Sequence, residues 1–511
     1  MAISWLSRLW SAEFACADNT FIICLDLAQI LPNNAIYRIM YIDLPRFMSY
    51  DGEVFVEDGS MTDNIRQESL AKSILRLAIP VSLQQLFTAS LHLVDTAMVA
   101  QLGKVSTAAI GAAGRWFFLC NLFYFGFASG MAVLVSQYWG VKDEDKIRKS
   151  FGLGIINAAV IGLIFSLASQ IIPKAMMHVF IKEPDVVAEG VRYMRFATLS
   201  FVPLAFSLII SYLLRSTERV ILPLVTSFVS VAVNTVLNYV LIFGKRGFPA
   251  MGIQGAGVAT AISSVLQAVL IIVVCIARKS IIATSIKNFI PRSKEFIAKY
   301  YRVSSPVLIN EVLWALGFNA YCMVLGRQGS ANYAAYTIFA SVEQIAFTLF
   351  VGVCSSCAVL VGKRVGSGRM KEAYDVARKF MIGVPVGGLI VGVIFALSSG
   401  GLVNLLNVPD IETGIMTQRL MIIYGGVMVM FLVPYIAIVG IFRAGGDTKI
   451  GLLYDLTCMW LVGVPAVYLA GMVFHWPFEV VFGTMYVESL VKTVLCVRHF
   501  KKKTWLIRLT G

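Results

Sequence analysis

Four polar residues inside long apolar runs could together bind a cation. Asp95 lies late in the first run, and Thr260 lies near the start of a later one. Asn234 and Asn238 are four residues apart, so they share one face of a helix. A carboxylate with amide and hydroxyl oxygens suits a hard cation, and a carboxylate within a membrane can also relay protons. The residues alone leave open the alternative of hydrogen bonds that only hold helices together.

Two further acids, Glu311 and Glu343, lie inside other apolar runs. A charged group at the bilayer centre costs at least about 2.5–3.5 kcal/mol, so each such residue needs an explanation. Glu311 could face a central cavity and attract a cationic substrate, and Glu343 is a second candidate of the same kind. The alternative for Glu311 is a protonated side chain that hydrogen-bonds to a neighbouring helix.

The sequence contains no recognisable catalytic or resident metal centre. Its four histidines are dispersed along the chain, and its nine cysteines follow no disulfide or metal-binding spacing. No nucleophile and base stand in a recognisable pattern within the apolar runs. We therefore predict that the protein is not an enzyme and that it holds no cofactor or metal.

The composition indicates that the bilayer is the solvent for most of these residues. Hydrophobic residues make up 58% of the 511 residues and charged residues only 14%, against roughly 25% charged residues in a soluble protein. Twelve apolar runs are each long enough to span a membrane as a helix. They are predicted over 77–100, 117–139, 151–173, 194–214, 221–243, 255–277, 303–326, 336–362, 380–399, 419–442, 452–474 and 478–497.

Basic residues predict the orientation of these helices. Of the 43 Lys and Arg, 30 lie in the lead-in from residue 61, in the loops after even-numbered helices or in the stretch from Lys492 onward. Only ten lie in the loops after odd-numbered helices. Because positive charge accumulates on the cytoplasmic side, both termini are predicted to be cytoplasmic in the inner membrane. This placement accounts for the net charge of +14, so no nucleic-acid partner is expected.

An internal repeat divides the chain into two parts. AVLVSQYWG at 132–140 returns as AVLVGKRVG at 358–366, a separation of 226 positions. The same separation relates Pro80 to Pro306, and the segments around Arg215 and Arg443 resemble each other. Six helices return the chain to its starting side, so the repeats have the same topology. We predict an all-α fold of two parallel six-helix lobes related by a pseudo-two-fold axis along the membrane normal.

The predicted domains are an amino-terminal extension over 1–68, an amino lobe over 69–277, a cytoplasmic linker over 278–302, a carboxy lobe over 303–497 and a basic tail over 498–511. Translation is predicted to start at Met61; the alternative is that residues 1–60 form a disordered or interfacial tail. Pro80 and Pro306 are each predicted about one turn inside a helix. There, a mobile kink and a tolerated first-turn proline are equally compatible with the sequence.

These residues resemble the multidrug and toxic compound extrusion (MATE) family, in its NorM-like branch. The resemblance covers 71–500, and it rests on the order and duplication of several loose motifs. These motifs are VDTAMVAQLG followed by AAIGAAG, AVLVSQYWG, NTVLNYVLIFG leading to GIQGAGVATA, and FRAGGDTK.

The resemblance implies an antiporter, acting as a monomer, that exports cationic amphipathic compounds in exchange for H⁺ or Na⁺. It implies that Asp95, Asn234, Asn238 and Thr260 form the coupling site and that Glu311 matches an acid used on helix 7. Leu432 stands where some relatives carry a second acid, which places coupling in the amino lobe. The alternative is a lipid or lipid-linked oligosaccharide flippase, or a narrow metabolite exporter, of the same superfamily.

Overall fold

The computed structural model describes residues 70–406 and 410–511. The predictions for Met61 and for an extension over 1–68 lie outside these residues. Twelve helices of the described chain are long and apolar enough to cross a membrane, which confirms the predicted number. We label them α1 to α12. Their bounds are Leu70–Ala100, Lys104–Gly140, Glu144–Ile171, Pro184–Ser216, Ile221–Phe243, Ile253–Ala277, Lys294–Gly326, Ser330–Gly366, Met370–Leu405, Ile411–Phe442, Thr448–Val473 and Phe478–Lys502.

Three of these spans change their helical geometry along their length. The α4 span passes through a 3₁₀ turn at Thr198–Ser200, and α10 ends in a π-helical segment at Ile436–Phe442. The α11 span contains two π-helical segments, Met459–Gly463 and Leu469–Val473. Shorter elements outside the spans are a helix at Pro173–His178 and a 3₁₀ turn at Ile286–Phe289. Such π segments widen the helix locally and often accompany functional sites.

Several helices begin well before the apolar runs that predicted them. The α3 helix begins after Asp143, whose side chain accepts a hydrogen bond from the backbone N–H of Lys146. Ser293 caps α7 in the same way, and Asp410 caps α10. These side chains satisfy backbone donors that the first helical turn leaves free. The helices therefore extend through polar turns, and α7 starts at Lys294, inside the stretch predicted as linker.

The two lobes repeat one packing pattern. In the amino lobe (α1 to α6), α1 packs on α5 and α2 packs on α3 and α4. In the carboxy lobe (α7 to α12), α7 packs on α11 and α8 packs on α9 and α10. The related helices α3 and α9 both expose rows of large apolar side chains, as expected of surfaces that face lipid. These side chains include Leu163, Ile164, Leu167, Ile390, Ile394 and Leu397.

Contacts between the lobes are made by α1 and α2 with α7 and α8. Ser82 Oγ on α1 donates a hydrogen bond to the carbonyl of Leu349 on α8 at 3.1 Å. Gly130 on α2 lies so close to α7 that a Cβ atom there would stand 2.6 Å from the Cβ of Ser304. Only glycine allows this approach of the two helices.

Pro80 and Pro306 lie deeper in their helices than predicted. The α1 helix begins at Leu70 and α7 begins at Lys294, so neither proline occupies a first turn. The prediction of a position one turn inside each helix is wrong because the helices extend through the polar lead-in residues. An interior proline removes one backbone hydrogen bond, so the first-turn explanation does not apply here.

The segment after α12 packs against both lobes. Trp505 is fully buried, and the backbone N–H of Ile507 donates to the carbonyl of Gly445 at 2.7 Å. The backbone N–H of Leu509 donates to Gln137 Oε1 on α2 at 2.8 Å. Thr510 Oγ1 donates to the last carbonyl of α8 at 2.7 Å. The segment predicted as a basic tail therefore joins the ends of α2 and α8.

Candidate functional site

A chain of hydrogen bonds joins three of the predicted site residues inside the amino lobe. Asn238 Nδ2 on α5 donates to Asp95 Oδ1 on α1 at 2.5 Å and to Asn234 Oδ1, one turn earlier, at 2.9 Å. Asn234 Nδ2 in turn donates to Ser263 Oγ on α6 at 3.2 Å. The four-residue spacing of the two asparagines places both on the α5 face that meets α1 and α6.

Thr260 joins this cluster through the backbone of α6. Its carbonyl accepts a hydrogen bond from Ser263 Oγ at 3.1 Å, and its own hydroxyl donates to the carbonyl of Ala256 at 2.9 Å. Tyr193 on α4 lies beside Thr260 and close to Asp95. The sequence gives no signal for Tyr193, because the apolar run that predicts α4 begins at residue 194, whereas the helix begins at Pro184.

The cluster is buried, and no cation of the described residues pairs with its carboxylate. Asn234 and Asn238 are fully buried, and Asp95 is 9% exposed. Among the described residues, none forms a salt bridge with Asp95. The oxygen Oδ1 of Asn238 is also buried and accepts no hydrogen bond from them. An unpaired carboxylate beside an unused amide oxygen is an arrangement that a proton or a small hard cation would stabilise.

The two acids predicted for a substrate cavity have different surroundings. Glu311 on α7 forms a salt bridge with Arg443, at 2.8 Å between Oε1 and Nη1, so its charge is balanced. Glu343 on α8 accepts a hydrogen bond from the hydroxyl of Tyr424 at 3.0 Å, and no described residue pairs with it as a cation. Neither acid lies in the amino-lobe cluster. The prediction that they attract a cationic substrate stays a prediction.

A pocket lies between the lobes, toward the carboxyl-terminal ends of α2, α4, α8 and α10. Its charged lining residues, among those described, are Arg215 and Arg443. In the sequence both arginines belong to the loop charges, because each directly adjoins the end of an apolar run. The structure buries them to 5% and 3% exposure. Their repeat relationship is visible in the sequence, but their shared pocket is not.

A second buried charge cluster lies within the carboxy lobe. Lys492 Nζ on α12 lies 2.8 Å from Asp455 Oδ1 on α11 and 3.3 Å from Glu488 Oε1. Asp455 also accepts a hydrogen bond from Asn310 on α7 at 3.0 Å. In the sequence Lys492 is the first of the basic residues that follow the apolar part of the last predicted helix. Its two acidic partners instead keep it inside the bundle, where a buried lysine needs a counter-charge.

The duplicated arrangement of helices has a counterpart among known protein families. The MatE family profile matches the chain twice, over residues 80–240 and 306–469. The chain belongs to the MatE family. Both matches begin at the repeat-related prolines, so the profile detects each lobe separately. This MatE protein is a NorM-like transporter and a multi-pass membrane protein, as the resemblance implied.

Named relatives match most of this MatE chain at low identity. A probable multidrug resistance protein NorM of Rhizobium meliloti is 26% identical, and the match covers 77% of this chain and 85% of the relative. The probable multidrug resistance protein YoeA of Bacillus subtilis is 24% identical, with 80% and 89% covered.

Solved structures share the fold. The Vibrio cholerae MATE transporter VcmN in its bent form gives a TM-score of 0.76 at 17% identity, covering 85% of this chain and 97% of that one. A MOP superfamily transporter from Pyrococcus furiosus, described as having a binding pocket of reverse polarity, gives 0.78 at 15% identity, covering 88% and 98%. At these identities the likeness establishes the fold.

Proposed function

We propose that this MatE protein is a secondary antiporter that exports amphipathic organic compounds, mostly cations, in exchange for protons or Na⁺. The observation that carries the proposal is the buried carboxylate of Asp95. Among the described residues, only Asn238 donates a hydrogen bond to it, and none forms a salt bridge with it. Such a group takes up a proton or a cation readily, because either one removes an uncompensated charge from the protein interior.

The cluster also suggests how ion binding would reach the rest of the lobe. Asp95 lies on α1, Asn238 on α5 and Ser263, which accepts a hydrogen bond from Asn234, on α6, so the hydrogen-bond chain joins three helices. A cation would draw Asn238 Oδ1 and Asp95 toward itself, whereas a proton would change only the bond between Asp95 and Asn238. Either event favours one arrangement of the three helices. The coupling is limited by the difference in ion affinity between the two states of the transporter.

Support for cationic substrates comes from the acids within the spans that lack a cationic partner among the described residues. Asp95 and Glu343 are two such acids, whereas Glu311 is balanced by Arg443. Glu343 lies on α8, which is one of the helices at the interface of the lobes. An amphipathic cation could approach this carboxylate while its apolar part remains among the aromatic side chains of the carboxy lobe.

The orientation in the membrane belongs to the same proposal. Both termini are cytoplasmic, and the protein resides in the inner membrane as a functional monomer. The support for this orientation is the excess of Lys and Arg in the loops after even-numbered helices. With this orientation, the Asp95 cluster lies in the outer half of the amino lobe, where it meets the external ion.

The experiment that tests the proposal is the efflux of ethidium, a fluorescent cation, from drug-sensitised cells. Wild type is compared with Asp95→Asn and with the control Asp375→Asn, which removes an acid from the polar first turns of α9. We expect wild type and Asp375→Asn to export the dye and Asp95→Asn to reach the membrane without exporting it. Separate collapse of the proton and sodium gradients then identifies the coupling ion.

Full export by Asp95→Asn would refute the coupling site. The two arginines that line the pocket favour a second candidate, a flippase for lipids or lipid-linked oligosaccharides or a narrow exporter of metabolites. That candidate becomes the better explanation if wild type reaches the membrane and exports no ethidium.

A further inference from the structure

The pocket between the lobes has an unbalanced positive charge. Arg443 is balanced, because Glu311 lies 2.8 Å away and Ser129 Oγ accepts a further hydrogen bond from Nη1 at 3.3 Å. Arg215 has no such counterpart. No described acid lies within salt-bridge distance of it, and no acid lines the described pocket. The lining therefore includes two guanidinium groups, and a described carboxylate neutralises only one of them.

The surroundings of Arg215 leave much of its hydrogen-bonding capacity unused. Nη2 donates to Gln84 Oε1 at 2.8 Å and to Gln85 Oε1 at 3.5 Å. Nε and Nη1 are buried and have no hydrogen-bond partner among the described residues. The guanidinium carbon lies 5.0 Å from the centre of the Tyr212 ring, which also lines the pocket. A buried guanidinium that lacks an anion is costly unless a ligand supplies one.

The internal repeat explains how this imbalance arises. Glu311 and Gln85 are 226 positions apart, so they are equivalent residues on α7 and α1. Each one meets the arginine of its own lobe, Arg443 or Arg215. The carboxy lobe has a carboxylate at this position and the amino lobe an amide of nearly the same shape. The geometry is thus duplicated, but the negative charge is not.

We propose that this pocket binds an oxyanion of the transported compound, such as a carboxylate, through Arg215. The inference rests on the proposed function and specifies the substrate class. Tyr212 and Tyr435 provide aromatic surface for the rest of the molecule. Amphiphiles that carry a carboxylate are therefore the preferred class.

The test uses purified full-length protein in proteoliposomes and two dyes that differ in one group. The first is a zwitterionic rhodamine with a free carboxylate, and the second is its methyl ester, a plain cation. Wild type is expected to transport the zwitterion with the lower KM. Arg215→Gln should raise the KM ratio of zwitterion to ester roughly tenfold or more, the size of effect expected when a charge-assisted hydrogen bond is lost. Arg215→Lys should restore part of the preference.

Gln85→Glu provides an independent variant that keeps Arg215. It gives the amino lobe the carboxylate that the carboxy lobe has, so the glutamate should compete with the substrate oxyanion and raise the same KM ratio. The matched control is Arg195→Gln, which removes an exposed arginine from α4 and should leave the ratio at the wild-type value. An unchanged ratio in both Arg215→Gln and Gln85→Glu would overturn the proposal.

The outcomes separate this inference from the proposed function. If Asp95→Asn stops transport of both dyes while Arg215→Gln changes the KM ratio, the proposed function and the oxyanion site are both supported. If wild type moves neither dye, the exporter proposal fails. The oxyanion site is then tested by binding of the zwitterion in detergent, and binding that Arg215→Gln abolishes supports the site.

A parallel experiment measures flipping of a fluorescent anionic phospholipid. Flipping that depends on Arg215, without binding of the zwitterion, identifies a lipid headgroup as the source of the oxyanion.

Discussion

The amino and carboxy lobes share a helical arrangement and differ in the charges that it holds. In the carboxy lobe, Glu311 neutralises Arg443. In the amino lobe, Gln84 and Gln85 face Arg215, and Asp95 has no cationic partner among the described residues. This difference indicates that the carboxy lobe balances its pocket arginine internally, whereas the amino lobe leaves Arg215 and Asp95 without an ion-pair partner among the described residues.

The largest effect on stability is expected where the carboxy lobe is made to resemble the amino lobe. Glu311→Gln leaves Arg443 buried without a carboxylate, and removal of one partner from a buried pair costs about 3–5 kcal/mol. The melting temperature of the detergent-purified protein should fall clearly. The control is Glu343→Gln, which removes an acid without a cationic partner among the described residues and should change the melting temperature much less. Equal shifts for the two variants would contradict the proposed difference.

The next largest effect is expected on ion affinity, at the cluster around Asp95 in the amino lobe. Asn238→Ala removes the donor to Asp95 and the donor to Asn234 together. Loss of a hydrogen bond to a charged group costs about 1.5–3 kcal/mol, so we expect affinity for the coupling ion to change by roughly tenfold or more. The measurement is dye efflux as a function of external pH and Na⁺ concentration.

Asn288→Ala is the control for that measurement, since Asn288 is exposed in the connection between α6 and α7. It should show the wild-type ion dependence. An unaltered ion dependence in Asn238→Ala would argue that the hydrogen-bond chain holds the helices together without taking part in coupling.

A smaller effect is expected when the amino lobe is made to resemble the carboxy lobe. Gln85→Glu places a carboxylate near Arg215 and should stabilise the protein by about 1–2 kcal/mol, because a buried cation gains a partner. The melting temperature should rise while transport of an anionic substrate weakens. Gln101→Glu, at an exposed position just after α1, should change neither. A fall in melting temperature for Gln85→Glu would show that Arg215 is already balanced.

The smallest effect is expected at a partly exposed ion pair that joins the lobes. Lys363 Nζ lies 2.7 Å from Glu218 Oε2, and the two side chains are 22% and 31% exposed. Pairs of this kind are worth about 0–1 kcal/mol. Glu218→Gln should therefore shift the melting temperature only slightly and less at high salt. A shift as large as that of Glu311→Gln would mean that this contact holds the lobes together.

The sequence by itself determined the twelve spans and the duplication. Apolar length is a local property of the chain, and the bilayer imposes it on every spanning helix. The spacing of Asn234 and Asn238 likewise places both residues on one helical face, whatever that face packs against. The coarse depth of Asp95 follows from its place in the first run. These features can be predicted without knowing which helices pack against each other.

Only the tertiary structure decided which charges meet. Glu311 and Arg443 are far apart in sequence, and so are Gln85 and Arg215, so no local pattern could pair them. The side chain of an arginine at the end of an apolar run can point into the cytoplasm or into a cavity of the protein. The packing of the neighbouring helices decides which of these two positions it takes. The starts of the helices also depend on capping side chains such as Asp143. Hydropathy locates the apolar centre of a helix, whereas capping and packing fix its ends and its partners.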